Sequence, residues 1–153
     1  MFGGPATTSF LGSTGGGDTM VGGTGTNTFS MTQNGVAFGG PDSSDTFFTG
    51  AGSALIVEGG GPTTLVLGAG TATMFAGSGT DTYVVTEGLA AQAGIVGFKA
   101  GDSLALSGFT APQASAALSA AATGAFGTIL DLPDGTRIIL YGTQLSASQN
   151  TTA

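Results

Sequence analysis

Large apolar residues return at every ninth position through the first half of the chain: Leu11, Met20, Phe29, Phe38, Phe47, Ile56, Leu65, Met74 and Tyr83. The intervals hold mostly small and polar residues, with glycines shortly before most of the apolar ones. A nonapeptide period of this kind predicts a parallel β-roll, each repeat supplying one tight turn and one short strand. A flexible Gly-rich linker has no reason to keep large side chains in such a register. With the apolar residue at position 8, positions 7 to 9 form the strand and the middle side chain points inward. Position 4 is Gly16, Gly25, Gly52, Gly61, Gly70 and Gly79, with Asn34 in the same place. These residue types accept a positive φ in a tight turn.

Two repeats close one coil, with a strand on each side. The expected inward columns are Leu11, Phe29, Phe47, Leu65 and Tyr83 on one sheet, and Met20, Phe38, Ile56 and Met74 on the other. Four and a half coils at about 4.8 Å each stand roughly 20 Å tall. This roll covers residues 1–86, and the pattern changes over 87–153. Gly94 to Phe109 reads as two short strands around the Lys99-Ala100-Gly101-Asp102 turn. Thr110-Ala111-Pro112-Gln113 is a capping box that opens an Ala-rich helix over about 111–122, ended by Gly124. A hairpin over 127–141 turns at Pro133-Asp134-Gly135. The expected fold class is all-β: a parallel β-roll or β-solenoid of nonapeptide repeats, followed by a small β-rich C-terminal cap with one short α-helix.

Composition narrows the function classes. The chain has 153 residues, enough for one domain with a real core. Only 7% of residues are charged, the formal charge is −7, and Lys99 and Arg137 are the only cationic side chains. That balance argues against nucleic acid and against anionic lipid as partners. No apolar run is long enough for a membrane span, so membrane insertion is not expected. Cysteine and histidine are both absent, which removes disulfides, imidazole metal sites and the usual serine or cysteine triads. Asp131 and Asp134 flank a Pro-Asp-Gly turn, and Asp42 and Asp45 share a repeat turn; both pairs read as turn formers before acid–base pairs. The Gly-rich turns carry no Gly-Lys-Ser/Thr element for a phosphate. The sequence reads as a non-enzyme. Met1-Phe2-Gly3-Gly4 enters the repeats directly, without a charged and then apolar leader.

The repeats resemble the repeats-in-toxin (RTX) nonapeptide G-G-x-G-x-D-x-U-x, as in Gly22-Gly23-Thr24-Gly25-Thr26-Asn27-Thr28-Phe29-Ser30 and Ala76-Gly77-Ser78-Gly79-Thr80-Asp81-Thr82-Tyr83-Val84. The later segment is similar to that family's C-terminal region, in the run from Phe98 to Phe109 and in Leu132-Pro133-Asp134-Gly135-Thr136-Arg137-Ile138. The resemblance implies a cap on the roll and an uncleaved C-terminal signal read by a type I secretion apparatus. An extracellular or cell-surface location follows from it. It also implies Ca²⁺ held between turns two repeats apart, by the position-6 Asp and turn carbonyls. Position 6 here reads Ser9, Asn27, Asp45, Thr63 and Asp81 on one edge, and Asp18, Val36, Ala54 and Ala72 on the other. Asp18, Asn27, Asp45 and Asp81 are therefore candidates for one or two calcium sites, although they read first as turn residues. Only Asn27 and Asp45 place two good ligands on neighbouring turns, whereas Ca²⁺ takes six to eight oxygens. An edge of Val36, Ala54 and Ala72 cannot be a calcium ladder, so most of the roll is expected to stack without metal.

Positions 7 and 9 face outward. One sheet presents Thr28, Thr46, Thr64 and Thr82 in a column beside Ser30, Phe48, Val66 and Val84. The other presents Thr19, Ala37, Leu55 and Thr73 beside Val21, Gly39, Val57 and Phe75. Contiguous uncharged surfaces of this size mark interaction faces. The first coil has no polar cap ahead of Gly4, which leaves an edge open to another chain. Head-to-tail contacts that do not close produce filaments. The expected function is a secreted, non-enzymatic structural protein that self-assembles into an extracellular filament, matrix or surface layer. Its assembly surface would be Thr28, Thr46, Thr64, Thr82, Phe48, Val66 and Val84. The alternatives are an ice-binding protein using the threonine column, or a calcium-responsive RTX module acting as a monomer.

Overall fold

A computed structural model describes residues 1–145 and the backbone of 150–152; residues 146–149 and 153 of the expected C-terminal region lie outside the described residues. Strands β1 (Thr8–Leu11), β3 (Asn27–Ser30), β5 (Asp45–Phe48), β7 (Thr63–Val66), β9 (Thr82–Thr86), β11 (Ser103–Ser107) and β15 (Asn150–Thr152) stack in that order in one sheet. The facing sheet orders β2 (Asp18–Val21), β4 (Gly35–Phe38), β6 (Ser53–Val57), β8 (Thr71–Phe75), β10 (Gln92–Val96) and β14 (Arg137–Tyr141), then β13 (Gly127–Asp131) and β12 (Ala122–Gly124). The chain crosses between sheets at every strand through β11, and neighbours within each sheet are parallel until the antiparallel pairs β14–β13 and β13–β12. This is a β-solenoid of about five turns, with one short helix among the described residues. Both sheets continue past Thr86: β10 and β11 extend them in parallel register, followed by β14 and β15. On the first coil, part of the edge expected to be open is occupied. Met1 to Gly3 runs along β2, exchanging backbone bonds with Val21 at 2.9 and 2.7 Å.

The strands are short because the chain must turn every few residues, and alternation decides which side chains enter. Phe29, Phe47, Leu65, Tyr83 and Leu104 form one buried column; Met20, Ile56, Met74 and Ile95 belong to the other. The nine-residue period fails at two points. Leu11 is 72% exposed and Phe10 takes the inner place, paired with Phe29. Phe38 is exposed as well, and Ala37 lies inside between Met20 and Ile56. The expected inward Leu11 and Phe38, and the expected outward Ala37 and Gly39, are thereby corrected. Stacking explains the first exchange: the rings of Phe10, Phe29 and Phe47 lie 4.8 and 4.4 Å apart with planes 9° from parallel, a gain that Leu11 could not supply. At β4 the small Ala37 takes the inner place, in register between the larger Met20 and Ile56.

The glycines have a different purpose from the one expected. Of the position-4 set, only Gly16 has a positive φ. Close approach between turns requires most of the others. A Cβ on Gly23, Gly40, Gly59 or Gly77 would overlap the carbonyl oxygen of Gly4, Gly23, Gly40 or Gly59 respectively, so one column of glycines runs up the corner of the roll. We expect Gly59→Ala to cost on the order of 3 kcal/mol, as for forced overpacking elsewhere. Gly15→Ala meets nothing within 4 Å and should be neutral. Urea unfolding of both variants checks this, and equal midpoints would overturn it.

Helix α1 (Ala111–Ala120) starts at the expected capping box, with Thr110 and Gln113 bonded reciprocally. It buries Ala114 and Ala117 and packs on β13. It ends because Ala121 is extended and leads into β12; Gly124 sits in that strand and does not stop the helix. The hairpin β13–β14 forms as expected, closed by a backbone bond from Gly135 to Leu132 and pinned by the Arg137–Asp131 ion pair at 2.6 Å.

Candidate functional site

Alternation places position 6 inside the roll. It precedes the inward apolar residue by two, and so shares its side of the sheet. Asn27, Asp45, Thr63 and Asp81 are all buried, and Asp102 follows Asp81 on the next rung. These residues form a polar ladder along one interior corner, whereas the sequence alone placed them in turns. Burying such groups is expensive unless each is bonded.

At the lower rungs the bonds come from amides and a hydroxyl. Asn27 Nδ2 donates to Asp45 Oδ1 at 2.7 Å and to the carbonyls of Gly23 and Gly25 at 3.1 and 2.9 Å. Asp45 Oδ2 accepts from the Gly40 N–H at 2.9 Å and from Ser43 Oγ at 2.8 Å. At the upper rungs a cation from the chain itself takes part. Lys99 Nζ lies 3.2 Å from Asp81 Oδ2, 3.2 Å from Asp102 Oδ1 and 2.9 Å from the Gly77 carbonyl. Each of these aspartates also accepts the N–H of the preceding rung, Thr63 to Asp81 and Asp81 to Asp102. Burial works to lower the Lys99 pKa, but the bonds to Asp102 and Asp81 outweigh it and hold the ammonium above its usual range.

Beside this group sits Glu58, which carries the inward alternation of β6 one step beyond the strand. Its Oε2 accepts from the Gly77 N–H at 3.1 Å and from the Tyr83 hydroxyl at 3.3 Å. Its Oε1 has no hydrogen-bond partner among the described residues, and neither has Thr63 Oγ1. Burial first, and then the negative charge of Asp81, push the Glu58 carboxyl up to about 8. Burial and the same neighbouring carboxylates push the Tyr83 phenol up, so its proton stays in place as a donor. A proton on Glu58 provides what the geometry lacks, a donor between two facing carboxyl groups.

Of the four calcium candidates, the ladder brings together Asn27 and Asp45, keeps Asp81 two rungs away, and leaves Asp18 apart. Asp18 opens β2 on the opposite sheet and accepts from the Ser13 N–H and hydroxyl. Gly35, Ala54 and Ala72 follow it in register, so Gly35 takes the place expected of Val36. As arranged, the carboxylates of Asp18, Asp45, Asp81 and Asp102 accept from N–H, O–H and ammonium donors of the chain itself. Among the described residues, no group of three or more Asp or Glu is disposed around a metal position. Glu58, Lys99 and Asp102 were missed as partners in the sequence. The signal for Glu58 was present, in the Ala54, Ile56, Glu58 alternation.

The second candidate site is the outer surface. The threonine column exists in register and is longer than expected: Ser9, Thr28, Thr46, Thr64, Thr82 and Ser103 occupy successive rungs. Leu11, Ser30, Phe48, Val66, Val84 and Ala105 run beside it. On the facing sheet, the shift at β4 turns Phe38 outward and completes a row the sequence did not reveal. Val21, Phe38, Val57, Phe75, Val96 and Tyr141 lie on consecutive rungs. The charged residues on this face among those described are Arg137 and Asp131, at its margin and paired with each other. No helix among the described residues is long and apolar enough to cross a membrane. No protein-family model and no curated protein matches this chain.

Proposed function

We propose that this protein is an extracellular, non-enzymatic structural protein that assembles with copies of itself through the flat faces of its roll. One observation carries the reading: both faces present continuous rows of hydroxyl and apolar side chains, while Asp45, Glu58, Asp81 and Asp102 are drawn inside the roll. A surface with so little charge is less strongly solvated than an ordinary one and favours contact with a like surface. The internal donors Asn27, Ser43 and Lys99 support assembly that is largely independent of calcium. Export by a type I apparatus rests on the resemblance of the repeats and the C-terminal segment to RTX proteins.

Electron microscopy of the purified protein, with millimolar calcium and with chelator, tests the proposal. Filaments or sheets are expected in both conditions, and Thr64→Lys should thin or abolish them while circular dichroism stays unchanged. Dispersed particles in both conditions would overturn it.

The unbroken hydroxyl column favours one second reading, a face that binds ice, because its rungs repeat at about 4.8 Å. Phe48, Val66 and Val84 beside the column interrupt the paired threonines such a face would use. Thermal hysteresis that is lost in Thr64→Lys would move the assignment to ice binding.

A further inference from the structure

We propose that the outer face of the sheet containing β2 to β14 pairs with the same face of a second copy, about a two-fold axis parallel to the strands and midway between β6 and β8. The inference rests on the self-assembly reading and names its partner surface. The row Val21, Phe38, Val57, Phe75, Val96, Tyr141 alternates small and large side chains, one per rung. The large members stand out, with Phe38 38%, Phe75 44% and Tyr141 45% exposed, and the valines between them are half-buried. Knobs therefore alternate with notches along the roll.

Such a row is complementary in size to its own reverse. Under the stated axis, Val21 meets Tyr141, Phe38 meets Val96 and Val57 meets Phe75, each ring facing a notch, twice over. The alternation extends beyond both ends: Phe2 bridges to Val21, and Gly127 is the register partner of Tyr141. The axis sets that ring against that glycine. In the neighbouring row Leu55 meets Thr73, again large against small, whereas Gly94 offers Val36 no notch because the Tyr141 ring of its own copy lies over it. An unrelated flat partner would gain nothing from this match, whereas a second copy gains all of it. Phe38 is the residue that makes the match work, because an inward Phe38 would leave a gap in the row.

Size and charge set the strength. Six rungs at about 4.8 Å by a strand face of roughly 15 Å give a contact of roughly 900 Å² over both copies, below the roughly 1,200 Å² of stable specific interfaces and in the range of weak, transient ones. Each copy carries a formal −7, so repulsion opposes the pairing until salt screens it. The result is a weak, concentration-dependent dimer that serves as a repeating contact in a larger assembly.

The test uses the absence of cysteine from the chain. Single variants Val21→Cys and Tyr141→Cys are oxidised separately and as a mixture. A disulfide dimer formed in the mixture and not in either protein alone is expected, because the axis brings 21 against 141 and keeps like positions about five rungs apart. Dimers from either protein alone, or none in the mixture, overturn the proposed axis. Sedimentation velocity supplies the second arm. Phe75→Lys should weaken the dimer at least tenfold with the fold retained by circular dichroism, and Thr64→Lys should leave it unchanged. Filaments that survive Phe75→Lys but not Thr64→Lys would overturn this contact while leaving self-assembly in place. Dimers without filaments would uphold the contact and remove the larger assembly.

Discussion

Glu58→Gln should stabilise the roll relative to the wild type at pH 8 and above, by several kcal/mol, and should remove most of the pH dependence of its stability. The Glu58 carboxyl has an ordinary value of 4.5 and is pushed up to about 8 in the fold, mainly by burial and then by Asp81. Between these values the unfolded chain releases a proton that the folded chain retains. Stability from this group is therefore complete below pH 4.5, falls as pH rises, and has been lost above about pH 8. At roughly 1.4 kcal/mol per pKa unit, the loss is on the order of 5 kcal/mol. Glutamine imitates the protonated acid: its oxygen can accept from the Gly77 N–H and the Tyr83 hydroxyl, and its amide can donate toward Asp81. Urea unfolding at pH 5, 7 and 9 decides the matter. The wild type should lose stability across the series, and the variant should match it at pH 5 and exceed it at pH 9. A wild-type profile that is flat from pH 5 to 8 would falsify the raised carboxyl.

Phe47→Asp should abolish folding, while Phe48→Asp, at the next position, should leave the fold nearly unchanged. Phe47 is fully buried, stacked on Phe29 at 4.4 Å and set in register with Leu65. Removing such a ring costs about 3–5 kcal/mol, and an unpaired carboxylate in its place adds several more. The sum is comparable with the whole stability of a domain, roughly 5–15 kcal/mol. Phe48 points outward and is 42% exposed; an aspartate there removes one surface contact and stays in water. Circular dichroism and gel filtration of the two variants separate them at once. A folded Phe47→Asp protein would mean that the ring stack does not hold the roll together.

The period of nine makes the solenoid legible in the sequence, because only a stacked coil asks for a large side chain at so regular an interval. It located Phe47, Ile56, Leu65, Met74 and Tyr83 correctly and failed at Leu11 and Phe38. At both places two eligible apolar residues are adjacent, and alternation alone cannot say which one enters. The choice is made across coils, where Phe10 is set against the ring of Phe29 and Ala37 between Met20 and Ile56, and those neighbours are distant in sequence. The glycines were legible as turn residues, but their reason was not: a carbonyl from the coil below is invisible to local pattern. The same holds for the polar ladder. Asp45 and Asp81 read as acids in turns, whereas their interior placement depends on strand phase. The balance of Asp81 depends in turn on Lys99, a full coil further along the chain.

The length of chain spent between rungs is not constant. Inward residues on one sheet run Phe10, Phe29, Phe47, Leu65, Tyr83 and Leu104, with the first and last steps longer than the three between them. On the other they run Met20, Ala37, Ile56, Met74 and Ile95, where the first step is the shortest and the last the longest. The strands nonetheless stay in unbroken alignment, so every gain or loss has been absorbed in a corner. Corners thus act as expansion joints. A gene for such a protein can drop or gain a codon at a corner, or duplicate a stretch worth one whole coil, and still encode aligned columns. Length then becomes a heritable variable that can change without a new fold, and the reach of each copy can be adjusted one coil at a time.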